Sequence, residues 1–195
     1  MRTLPLVGCI ALAAATNLAA QVPSAEQQIA AAVTAAPEEM RKDATVLGYS
    51  NYHRMTVLRQ GSGEMVCLAD DPSAASWHVA CYHRDLEPFM AMGRELEAQG
   101  KTSQEIKEAR RAAIKAGTLK MPDGPRALYN LYAPADSIDP STGIAKSPEG
   151  LQVVYIPYAT EETTGLPIKP EKGKPWIMGA GEPWAHIMIV QAEEE

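Results

Sequence analysis

Four pairs of side chains stand two residues apart on stretches that read as β-strands: His53/Met55, Met65/Cys67, Cys81/His83 and His186/Met188. Strand alternation places residues i and i+2 on one face of a sheet. Thioether and imidazole side by side on a rigid strand would suit a soft or borderline ion, copper or zinc, and the candidate ligands are His53, Met55, His83, His186 and Met188. The competing expectation is that strand methionines fill a core. The dense Cys/His spacing of a zinc site is missing, so the expectation from sequence is a chain without a cofactor.

Two of the histidines also have a carboxylate near in sequence, His83 with Asp85 and His186 with Glu182, the combination needed for a base and its orienting group. A hydrolase centred on His83 or His186 is therefore an alternative, although no nucleophile is marked for either. Asp85 is better explained as the N-cap of the helix that opens at Leu86. A third arrangement is aromatic. Trp176 and Trp184 flank the turn Gly179-Ala180-Gly181, and with Tyr155 and Tyr158 they could line a ligand or glycan platform. Two tryptophans across a turn more often pack together and cap a small core, and packing is the favoured reading. The chain has no phosphate-binding glycine loop, no Gly-x-Ser-x-Gly, no His-Glu-x-x-His, no Cys-x-x-Cys and no Asn-x-Ser/Thr.

The compartment follows from the first residues and the cysteines. Met1-Arg2, an apolar Leu4–Ala15 and the small residues up to Ala20 have the form of a secretory signal, 1–20, cleaved after Ala20. The apolar stretch is too short to span a bilayer. Leu6-Val7-Gly8-Cys9 has the form of a lipoprotein box, but it comes too early and an apolar stretch follows it, so lipidation at Cys9 is not expected. Removing the signal leaves Cys67 and Cys81, an even pair that reads as one disulfide in an oxidising compartment, periplasmic or extracellular. Eighteen Lys+Arg against 24 Asp+Glu give −6, and −7 once Arg2 is gone. An acidic chain without a basic run is a poor nucleic-acid binder.

The elements that would position these groups form one α+β domain, 21–195. Ser24-Ala25-Glu26-Gln27 opens an N-terminal helix that Pro37 interrupts. Four β-prone runs follow, 44–49, 53–59, 64–69 and 77–83. Gly61-Ser62-Gly63 reads as a tight hairpin turn, and the short connections predict an antiparallel meander. A two-helix insertion comes next. Its first helix, 85–99, has the apolar stripe Leu86, Phe89, Met90, Gly93 and Leu96, and its second is capped at Thr102 or Ser103. Glu105, Lys107, Glu108, Arg110, Arg111 and Lys115 on that helix read as a solvated face. Ten of the fifteen prolines lie beyond Met121, in proline-rich loops between strands at 126–132, 151–158 and 185–190. The expected sheet has six or seven strands.

The stretches His78-Val79-Ala80-Cys81-Tyr82-His83-Arg84-Asp85-Leu86-Glu87-Pro88-Phe89-Met90 and Ala185-His186-Ile187-Met188-Ile189 resemble a group of exported bacterial proteins that carries no assigned activity. The resemblance implies bacterial export and assigns no site residue. The reading that results is an exported binding or envelope-associated domain without enzymatic activity. It has no transmembrane segment in the mature chain, and its partner, whether small molecule, glycan or protein, is left open.

Overall fold

The computed structural model describes residues 22–51, 54–171 and 173–190. The signal segment with Cys9, and the candidate ligand His53, lie outside them. In chain order the elements are α1 (Ala25–Ala32), α2 (Glu38–Arg41), β1 (Thr45–Asn51), β2 (Arg54–Arg59), β3 (Met65–Leu68), β4 (Ser76–His83), α3 (Glu87–Ala98), α4 (Ser103–Lys115), β5 (Arg126–Pro134), β6 (Glu149–Tyr155), α5 (Glu161–Thr164), β7 (Trp176–Met178) and β8 (His186–Val190). Eight strands make one mostly antiparallel sheet in the order β2-β1-β3-β4-β5-β6-β8-β7. The class is α+β. Among the described residues no helix is long and apolar enough to cross a membrane.

Alternation along the strands gives the sheet two apolar faces. Val46, Cys67, Val79 and Cys81 point to the first. Leu47, Val66, Tyr82, Val153 and Tyr155 point to the second. The first face is covered by α1 and the 3-10 turn Val33–Ala35. Ala31, Ala32, Ala35 and Ala36 are all buried there, and their small side chains let the helix lie close on the strands. The helix is also bonded to the sheet: buried Gln28 donates from Nε2 to Tyr49 O (2.8 Å) and accepts from Tyr49 N (2.7 Å). The proline-containing loop after β5 folds over the same face, bringing Ile138, Ile144 and Ala145 into the core, and Trp77 Nε1 donates to Gly143 O at 3.2 Å. Cys67 and Cys81 sit directly opposite each other in the β3–β4 pair and are joined by a buried disulfide.

The first four strands are no meander, because β3 pairs with β1 in parallel, Thr45 opposite Val66 through Leu47 opposite Leu68. β2 runs back to the start of β1, and the chain then passes round that end and enters β3 on the other side of β1. A parallel neighbour therefore arises without a long crossover, since β2 and β3 run in opposite directions and the connection never leaves one end of the sheet. Gly61 makes the close passage possible: a Cβ there would stand 2.2 Å from Asp43 O and 2.4 Å from Ala44 C. Gly63 N then donates to Asp43 O at 2.8 Å.

Candidate functional site

The second face of the sheet is covered by the inserted pair α3–α4, between β4 and β5. The anchor of α3 is polar. Tyr82 OH donates to Glu87 Oε2, Arg94 Nη1 donates to the same hydroxyl at 2.7 Å, and Arg94 Nη2 donates to Glu87 Oε1 at 2.6 Å. Burial, helped by Glu87 and opposed by Arg94, drives the Tyr82 pKa upward, so its hydroxyl remains a proton donor. Glu87 and Arg94 are seven residues apart on one helix side, which sets both above Tyr82.

Thr102 caps α4 in a capping box with Glu105. The backbone N–H of Thr102, with Lys101 and the Thr102 hydroxyl, holds the Glu105 carboxyl down to about 2. What joins the two helices is a cation on a ring. Arg110 of α4 lies with its guanidinium carbon 3.8 Å from the centre of the Phe89 ring, and donates to Phe89 O from Nε (3.1 Å) and Nη2 (2.7 Å). Gly93 leaves the space for it, because a Cβ at that position would stand 2.0 Å from Arg110 Nη2.

Between the helices an open groove of about 370 Å³ remains. Met90, Gly93, Arg94 and Glu97 line it from α3, Ser103, Ile106, Lys107 and Arg110 from α4, and Leu68 from β3. Both helical sets follow the spacing i, i+3, i+4, i+7, one stripe along each helix. On the sheet side the register carries Leu68 on to Ala80, Asn130 and Leu151. Three cations and one carboxylate thus face a partly apolar cleft in a chain whose net charge is −6. Arg94 is neutralised by Glu87. Among the described residues Arg110 and Lys107 have no ion pair. Burial pulls the Arg110 pKa down, with Arg94 adding to the effect and Tyr155 and Glu97 opposing it.

The residues singled out from sequence are dispersed. Met55 is on edge strand β2, six strand spacings from β8 and so about 29 Å across the sheet. His83 projects on the disulfide face, whereas His186 and Met188 share the opposite face of β8. Among the described residues no group of three or more His, Cys, Asp or Glu could hold a metal ion. His186 Nδ1 meets Trp184 O at 2.8 Å, the ring leans on Tyr155 (4.9 Å between centres), and burial lowers its pKa despite that carbonyl. His83 Nδ1 accepts the Asp85 N–H (3.2 Å), which leaves Nε2 facing Glu64 at 3.6 Å. Of the four aromatic candidates, Tyr155 and Trp184 lie under α3, each 6.1 Å from Phe89. Trp176 is half-buried on edge strand β7 opposite Met188, and Tyr158 points outward with a left-handed backbone, φ 63°.

Asp85 is not the N-cap: the chain enters α3 through the 3-10 turn Arg84–Leu86, His83 caps that turn, and Asp85 instead binds Arg126 at 2.7 Å. Nor is the charged face of α4 wholly solvated, since Arg110 is on Phe89 and Arg111 reaches Glu182 (2.7 Å) over the Trp184 ring. The groove leaves little mark in the sequence. Its only sequence signal is the stripe of Ser103, Ile106, Lys107 and Arg110, in which an apolar residue and two cations share one side of a helix.

No protein-family model, curated protein or solved structure matches this chain.

Proposed function

We propose that this is an exported, non-enzymatic binding domain and that the α3–α4 groove is where its ligand sits. The observation that carries the reading is the groove lining, which combines apolar surface from Leu68, Met90 and Ile106 with two cations, Lys107 and Arg110, that no carboxylate of the described chain pairs. Ligand sites combine apolar walls with a few placed polar groups in this way, in volumes of roughly 300–1,000 Å³. Export is supported by the signal-like first twenty residues and by a disulfide buried between two strands. His83 serves as a helix-turn cap and His186 bonds a backbone carbonyl, and both are structural uses of a histidine.

The test is methyl NMR of the purified protein against a panel of small organic acids, bases and neutral compounds. Binders should shift the Met90 and Ile106 methyl signals. Binders that shift only other regions would overturn the assignment of the site.

A further inference from the structure

We infer that the ligand is an apolar molecule ending in a single carboxylate, which rests on the reading of the groove as a binding site. Its carboxylate would lie on Arg110, and its apolar body across Leu68, Met90 and Ile106. Arg110 carries the argument. A guanidinium has five N–H groups in a fixed planar fork. Here Nε and Nη2 are both committed to one neutral acceptor, Phe89 O, while the ring of the same residue covers one face. That leaves Nη1 without a hydrogen-bond partner among the described residues, on a group that lines the groove. A cation partly withdrawn from water in this way makes no direct ion pair among the described residues, Glu97 acting on it only at longer range, and is short of a contacting counter-ion. The bare Gly93 backbone is what lets it settle there, since a Cβ would occupy the place of Nη2.

The rest of the lining selects among anions. Lys107 lies one turn before Arg110 and adds a second unpaired positive charge, which favours an acid over an alcohol or an amine. Glu97 stands on the same groove and penalises a doubly charged head such as a phosphate monoester. Leu68, Met90 and Ile106 supply surface that a small hydrophilic acid such as acetate would leave unused. An aliphatic monocarboxylate satisfies all three conditions.

Octanoate, octan-1-ol and octylammonium, titrated by calorimetry and followed at the Met90 and Ile106 methyls, separate these terms. Octanoate should bind at the groove at least roughly tenfold more tightly than octanol, the contribution of one charge-assisted hydrogen bond. Octylammonium should not bind, and added salt should weaken octanoate alone. Lys107→Glu, a change at an exposed position of the groove lining, and Gly93→Ala, which displaces Arg110 without removing its charge, should each weaken octanoate by a larger factor than octanol. Melting curves confirm that both variants fold. Octanol shifting the same methyls as tightly as octanoate would overturn the carboxylate while leaving the groove as the site. Octanoate binding without shifts at Met90 and Ile106 would overturn both.

Discussion

Tyr82, Glu87 and Arg94 make the most demanding polar arrangement in the molecule, because each member satisfies the other two beneath a helix. Removing the carboxylate leaves a half-buried guanidinium without its counter-ion and a buried hydroxyl without its acceptor. Glu87→Ala should therefore cost about 2–3 kcal/mol, and Tyr82→Phe, which keeps the ion pair, about 1 kcal/mol. Urea denaturation of the two variants checks the order. Asp70 gives a pH-dependent counterpart. It accepts the His78 N–H at 2.8 Å, yet burial, reinforced by Asp71, pushes its pKa from 3.8 up to about 6. The folded chain thus holds this proton to higher pH than the unfolded chain. The associated stability is fully present below about pH 4 and is lost as pH rises through about 6. Asp70→Asn keeps an oxygen for His78 and removes the charge. It should raise stability at pH 8 by about 1–2 kcal/mol, after allowance for partial solvation, and change little at pH 4, as melts at the two values would record. At this scale the sequence was least informative. Arg110 and Arg111 look like any two basic residues on a polar helix, and only the packing of α4 on Phe89 and Trp184 gives them rings to cover.

Among the elements, the passage from β2 to β3 is the most restrictive. Gly61→Ala drives a methyl into the backbone at Asp43, Ala44 and Thr45, none of which can rotate away, and should cost about 3 kcal/mol or prevent folding. Gly124→Ala is the matched control, its nearest neighbour being Arg126 Nη1 at 3.6 Å, and should lie within about 0.5 kcal/mol of the parent in the same denaturation assay. The β3–β4 disulfide closes a 15-residue loop, so reduction should lower stability by about 3 kcal/mol, measured as the midpoint shift with reductant. Strand existence was legible wherever alternation ran for five residues or more. β7 escaped because it is three residues long, follows Pro175, and owes its pairing to β8, which comes later in the chain. The β1–β3 pairing escaped because Gly61-Ser62-Gly63 has the composition of a hairpin turn whichever side of β1 the chain goes next. The composition determines a tight turn and leaves the choice of neighbour to tertiary contact.

For the molecule as a whole, the sheet is a shared floor. α1 and the proline-containing loop close one face, and the α3–α4 pair closes the other. The α+β class, the N-terminal helix, the two-helix insertion and the cysteine pairing could all be read in advance, because each rests on periodicity, caps or parity. The groove could not, since its width depends on where Gly93 allows Arg110 to rest. The insertion also bears on the order in which the molecule assembles. β4 and β5 pair along seven residues, from Ser76 opposite Pro134 to Tyr82 opposite Leu128, although residues 84–125 separate them. Closing that excursion in place of a four-residue turn costs about 2 kcal/mol of chain entropy. The β1–β4 half needs no such closure and can gather first on its own short connections. The β5–β8 half then docks onto it as a late event, so amides of β6 and β8 should gain hydrogen-exchange protection after those of β1 and β3 during refolding.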